Sequence, residues 1–202
     1  MTKHVLVCLV VLAGCGKKKE EATGTETGSA AQKPTAGAAA APGPTPAAAP
    51  PADLPPSSAP GTAEVLAKFD AACDGGYGKA CFDSGMRRAK GMGTAQDRVA
   101  GASWLDKGCK LDDAESCGLL ASFVALGQEG VPMDKARAIE LHAKACPRVA
   151  TSCRLLAQYY GRGEVVKQDL AKAMSLLDQA CTAGDQAACT EAADHRANGT
   201  DK

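Results

Sequence analysis

Ten cysteines in 202 residues are the side chains with the most chemistry to offer. A thiolate can attack carbon, bind zinc or join a second thiol, and the spacing decides which. Eight of the ten fall into pairs at 73 and 81, 109 and 117, 146 and 153, and 181 and 189. The first members of the pairs are 36, 37 and 35 residues apart. On one unbroken helix, eight residues would separate two alpha carbons by about 12 Å. A disulfide needs them within about 7 Å. The segments between the cysteines carry Gly75-Gly76, Asp112-Asp113, Pro147 and Gly184-Asp185, which supply a turn in each case. Each pair therefore bridges the end of one helix to the start of the next: Cys73–Cys81, Cys109–Cys117, Cys146–Cys153 and Cys181–Cys189. Zinc is the competing reading, but the short Cys-x₂₋₄-Cys spacing is missing and the three histidines do not stand at ligand spacing. Even numbers of evenly spaced cysteines are normal in chains that fold in an oxidising compartment.

Other reactive constellations are missing. The chain has no Ser-x-x-Lys, no Gly-x-Ser-x-Gly and no His-Glu-x-x-His, so neither a serine nor a zinc mechanism has its parts. His142 stands beside Glu140 and Lys144 on what reads as a polar helix face, and is expected to be solvated rather than a general base. With the paired cysteines spent, no thiol nucleophile is left in the repeats. We expect no catalytic residue, no metal site and no cofactor. Charge excludes a further class, since 23 Lys and Arg balance 23 Asp and Glu, and a nucleic-acid binder needs a basic excess.

The elements that would position these groups are helical and repeat. A fixed period near 36 residues marks a solenoid of one repeated unit. After each second cysteine comes a helical stretch, Cys81–Lys90, Cys117–Leu126 and Cys153–Tyr160, ending at Gly91, Gly127 and Gly161 or Gly163. Asp97, Asp134 and Asp169 then stand as N-caps of a second helix that runs to the next first cysteine. Apolar positions agree with this, because Ala138, Leu141 and Ala145, and likewise Ala173, Leu176 and Ala180, recur at i, i+3 and i+7. At the front, Glu64–Cys73 reads as a lone second helix with Val65, Leu66, Phe69 and Ala72 inward; at the back, a polar helix through Thr190 and Arg196 caps the array. Trp104 and Tyr160 are expected in inter-helix packing. The fold class is thus all-α, a disulfide-stapled solenoid of antiparallel hairpins over 62–202, with repeats near 73–108, 109–145 and 146–180 and a partial capping repeat at 181–197. Nine of the eleven prolines lie between Pro34 and Pro60, in a tract of small residues that cannot bury enough apolar surface to fold. Residues 15–61 are expected to be a disordered linker.

The amino terminus reads as an address. Lys3 and His4 precede the apolar run Val5–Ala13, too short to span a bilayer, and Lys17-Lys18-Lys19 follow it. Leu12-Ala13-Gly14-Cys15 resembles the lipobox of bacterial lipoproteins. The resemblance implies that residues 1–14 are a signal peptide, lost together with Cys8, and that Cys15 is acylated. A multiply acylated cysteine holds a protein at a membrane without a transmembrane helix. Gly16 follows, where an Asp would mark inner-membrane retention, so the resemblance implies an outer-membrane protein facing the periplasm or the cell surface.

The repeats also resemble a known pattern. Asp134-x-x-Arg137-Ala138-x-x-Leu141-x-x-Lys144-Ala145-Cys146 and Asp169-x-x-Lys172-Ala173-x-x-Leu176-x-x-Gln179-Ala180-Cys181 are similar to the second helix of Sel1-like repeats, and Leu156-Ala157-x-x-Tyr160-x-x-Gly163 to the first. The cysteine-bearing form resembles the Helicobacter-type cysteine-rich proteins. The family resemblance implies a scaffold that binds an unidentified protein or peptide of the cell envelope, with the membrane reached only through the lipid. Arg87, Arg88, Arg154 and Arg162, with Gln158 and Tyr159 near them, lie on first helices or at their ends and are candidates for a groove that attracts carboxylate-bearing ligands. The alternative is that they are the solvated faces of amphipathic helices. Two other functions stay open: the beta-lactamase or penicillin-binding activity for which cysteine-rich relatives are labelled, and a structural spacer or envelope-assembly component.

Overall fold

The computed structural model describes residues 48–199. Cys8, Cys15, the signal-like segment and the tract up to residue 47 lie outside the described residues. Among the described residues eight helices follow one another: α1 Ala63–Asp74, α2 Gly78–Lys90, α3 Arg98–Lys110, α4 Ala114–Leu126, α5 Lys135–Ala145, α6 Ala150–Arg162, α7 Leu170–Thr182 and α8 Gln186–Ala197. No strand forms among the described residues. Pairs α2/α3, α4/α5 and α6/α7 are the hairpins, while α1 is an unpaired second helix and α8 an unpaired first helix.

Local chemistry accounts for the boundaries. The side chains of Asp97, Asp134 and Asp169 accept hydrogen bonds from the backbone N–H of Ala100, Arg137 and Lys172, three residues on, as N-caps should. Gly91, Gly127 and Gly163 end the first helices with φ of 72°, 62° and 68°, a left-handed conformation that costs glycine least. Of the two candidate stops in the third hairpin, Gly163 is the one used, and Gly161 lies inside α6. The first helices begin three residues before the second cysteine of each pair, earlier than the sequence pattern indicates. Asp113 and Asp185 cap two of these starts by accepting from the N–H of Ser116 and Ala188.

All four disulfides have the expected pairing, with Cα–Cα separations of 4.4–4.8 Å. Each joins the second helix of one repeat to the first helix of the next, while the loops inside the hairpins carry no crosslink. Packing within hairpins relies on small residues. A methyl group on Gly85 would lie 2.8 Å from Leu105 Cγ and 2.9 Å from the Gly101 carbonyl, so α2 and α3 approach through two glycines. Ala157 and Ala173 hold the same places in α6 and α7 and are both buried.

One segment departs from the expectation of a disordered linker through residue 61. The stretch 51–61, with hydrogen-bonded turns at 51–54 and 56–59, lies against α1 and α2. Leu54 packs with Phe69, Ala72 and Tyr77, and the Ser57 hydroxyl donates to Asp83 at 2.9 Å. Residues 54–60 therefore belong to the folded part.

Candidate functional site

The disulfide register superposes the repeats residue by residue. The residue four before each first cysteine is Phe69, Leu105, His142 or Leu177, and all four are almost fully buried in their second helices. The residue six after each second cysteine is Arg87, Phe123, Tyr159 or His195, on the facing first helix. The two positions meet. The Arg87 guanidinium carbon lies 4.7 Å from the Phe69 ring centre, and the His142 and Tyr159 rings are 6.5 Å apart.

In the first of these places Arg87 is only 2% exposed. Its guanidinium donates to three backbone carbonyls of the segment before α1, those of Ser57 (3.1 Å), Ala59 (2.9 Å) and Pro60 (3.1 Å). Asp83 lies beneath the same segment. Burial raises its carboxyl above the ordinary aspartate value, while the Ser57 hydroxyl and the charges of Lys79 and Arg87 act in the opposite sense. The second place is filled by apolar packing of Ala89, Leu105 and Phe123.

At the third place the floor is open. A cavity of about 310 Å³ is bounded by Leu126 of α4, His142 of α5 and Leu155, Gln158, Tyr159 and Arg162 of α6. Leu126 is 70% exposed, a large apolar side chain on the rim. Lys135 and Glu164 form an ion pair at 3.4 Å on the border. His142 is 2% exposed and its Nδ1 has no hydrogen-bond partner. Burial lowers its pKa to about 4, so it is neutral at physiological pH. A further cavity of about 190 Å³ follows over Leu177, and Gln158 and Arg162 border both.

The residues singled out for ligand binding thus divide. Arg87 is buried against the chain's own residues 57–60. Arg88 makes a two-pronged pair with Asp70 (2.8 and 2.6 Å) and lies 4.5 Å from the Trp104 ring centre. Arg154 is paired with Asp185 at 3.1 Å. Burial works against ionisation of Asp185, yet the Ala188 N–H and the Arg154 guanidinium outweigh it and hold the carboxyl below its usual range. Gln158, Tyr159 and Arg162 border open space, and the Gln158 amide also donates to Glu191 at 3.2 Å. Trp104 packs between helices as expected, and so does Tyr160, whose hydroxyl accepts from Lys172 at 2.7 Å.

His142 corrects the sequence reading, because it occupies a core position and is not on a solvated face. Its neighbours Glu140 and Lys144 are both exposed, and they suggested the wrong face. The signal that would have found it is the register itself, since three of the four equivalent residues are Phe or Leu. Among the described residues no group of three or more His, Cys, Asp or Glu side chains stands close enough to hold a metal ion, and no helix is long and apolar enough to cross a membrane.

Comparison with known proteins agrees with this architecture. The chain is similar to a crystal structure of a Sel1 repeat protein from Oxalobacter formigenes, at 22% identity and a TM-score of 0.62, covering 68% of this chain and 56% of that one. It is also similar to a protective antigen present in uropathogenic Escherichia coli strains that displays an SLR fold, at 22% identity, a TM-score of 0.64, and coverage of 68% and 29%. The cysteine-rich protein B of Helicobacter pylori gives 21% identity and a TM-score of 0.51 over 63% of this chain and 91% of that one. The chain thus spans little more than half of the first of these proteins and under a third of the second. No curated protein sequence matches it. The Sel1 repeat family model matches residues 78–113, 114–146 and 150–185, which correspond to the three hairpins together with their disulfide turns and make up just over half of the sequence. With that match and a shared fold, the chain belongs to the Sel1 repeat family.

Proposed function

We propose that this protein is an envelope-anchored scaffold whose groove between first helices binds a segment of another polypeptide. Sel1 repeats typically form helical scaffolds for protein–protein interaction, and four disulfides in one domain suit folding in an oxidising, extracytoplasmic compartment. In this reading residues 1–14 are removed, Cys15 carries the lipid at the outer membrane, and the Ala/Pro-rich tract tethers the repeats. The lipobox-like Leu12-Ala13-Gly14-Cys15 supports the anchor.

The observation that carries the binding role is the cavity over α5. It combines an exposed Leu126, a buried His142 without a partner for Nδ1, and the polar ends of Gln158 and Arg162. Apolar walls with a few convergent polar groups are the ordinary makeup of a recognition site. A photocrosslinking residue at Leu126 of the membrane-borne protein should trap a discrete partner adduct. The same probe at Glu140, about 200° around α5 from His142, should trap none. Equal adducts at both positions would count against the groove, and failure of Cys15→Ser to release the protein from membranes would count against the anchor.

A further inference from the structure

The first repeat already holds a bound polypeptide segment, namely the chain's own Leu54–Pro60. Its sequence is Leu-Pro-Pro-Ser-Ser-Ala-Pro, and it turns over the Phe69/Arg87 position, with the Ala59 N–H bonded to the Pro56 carbonyl. Proline lacks an N–H, so a proline-rich segment has fewer main-chain donors than carbonyls and leaves some carbonyls free to accept. Arg87 supplies donors to three of them. The Ser57 hydroxyl adds a contact to Asp83, and Leu54 adds an apolar anchor.

The third repeat repeats this arrangement without an occupant. Asp83 and Arg87 correspond to Leu155 and Tyr159, each 72 residues on, and Phe69 corresponds to His142. These residues bound the 310 Å³ cavity. Donor-bearing side chains border it: Arg162, exposed at the end of α6, Tyr159, and Gln158, whose amide also donates to Glu191. Leu126 and Leu155 supply apolar walls where Leu54 or a proline ring would rest. The 190 Å³ cavity over Leu177 continues the groove by one repeat, which suits an extended ligand rather than a compact one.

We propose that the groove over His142 and Leu177 is a receptor for a proline-containing polypeptide segment, recognised through its main-chain carbonyls as Leu54–Pro60 is at Arg87. This rests on the binding role proposed above and names the chemistry of the partner. The second cavity makes the site long enough to read several residues, and donors such as the Arg162 guanidinium favour a backbone with some carbonyls left over for a side chain, as those of Ser57 and Ala59 are for Arg87. A helical ligand, with its carbonyls already bonded along its axis, would present fewer acceptors.

The test uses the full, oxidised chain in detergent and a fluorescent synthetic peptide of the sequence Ala-Asp-Leu-Pro-Pro-Ser-Ser-Ala-Pro, followed by anisotropy. A peptide with alanine at all three prolines is the control. Saturable binding is expected, weakened about tenfold by Arg162→Ala, a loss of one charge-assisted contact, and also weakened by Leu126→Ser, while Arg87→Ala leaves it unchanged. Loss of binding in Arg87→Ala alone would mean that the peptide exchanges with the chain's own segment, and would overturn the assignment to this groove. Equal affinity for the proline-free peptide would overturn the proline selectivity while leaving a general polypeptide groove intact. Absence of binding to either peptide would overturn the inference, whereas the crosslink at Leu126 tests the broader binding role independently.

Discussion

The same structural position has opposite fates in the first and third repeats. Over Phe69 the partner residue is Arg87, buried to 2% exposure and bonded to a turn of the chain's own backbone. Over His142 the partner residue is Tyr159, and the space above stays open. A charged group with so little water around it needs several fixed acceptors, and in the first repeat the residues just upstream of α1 provide them. A neutral histidine and a phenol tolerate a partly wet cavity, so the third repeat has no need of a cover. The difference teaches that in a repeat array the end repeats are completed by whatever lies next to them, while interior repeats can leave their surface for others.

Four experiments would break or sharpen this contrast. The largest effect is expected for Arg87→Ala, which strips the segment 57–60 of its donors and should cost about 3 kcal/mol of stability in denaturant unfolding. It should also open residues 54–60 to proteolysis; an unchanged cleavage pattern would show that the segment is held by something other than Arg87.

His142→Leu addresses the other side. The folded-state pKa of about 4 lies below the ordinary 6.5. Above pH 6.5 the histidine is neutral in both states and adds no pH dependence. As pH falls toward 4 the unfolded chain binds a proton that the native state refuses, so stability drops by up to about 3 kcal/mol. With leucine, as in the equivalent Leu105 and Leu177, that part of the acid loss should vanish, and urea unfolding at pH 7.5 and pH 4.5 would read it out. An undiminished acid loss would mean that His142 is accessible to protons in the native state.

Arg154→Ala should cost about 1–2 kcal/mol, because it leaves the Asp185 carboxylate, which also caps α8, with fewer partners. The loss should appear first as faster hydrogen exchange in α8. The smallest effect belongs to Leu126→Ser. Its side chain is mostly solvent-exposed, and stability should change by less than about 0.5 kcal/mol. A larger loss would mean that the rim of the cavity is structural.

Much of the fold was legible because its determinants are close in sequence. The disulfides span seven or eight residues, and the aspartate caps bond to N–H groups three residues on. Both can be read from residue type and spacing, and both confine the chain to hairpins of one length. The candidate site was legible only in part. Gln158 and Arg162 were named from their place on a first helix, and they do border the groove. Leu126 was missed, since an exposed leucine at the end of a helix carries no pattern of its own. His142 was placed on the wrong face because its charged neighbours outweighed its equivalence to Phe69, Leu105 and Leu177.

Sequence alone determined the helical repeat, the pairing of eight cysteines and the helix starts at Asp97, Asp134 and Asp169. Tertiary structure alone decided what the arginines do. Arg87 finds its acceptors 27 to 30 residues upstream, Arg88 its carboxylate 18 upstream and Arg154 its carboxylate 31 downstream. A guanidinium on a long flexible stem can reach many partners, and which one it keeps depends on how the helices cross. Local spacing carries no record of that crossing, whereas a cap or a short disulfide loop is closed within one turn of the chain.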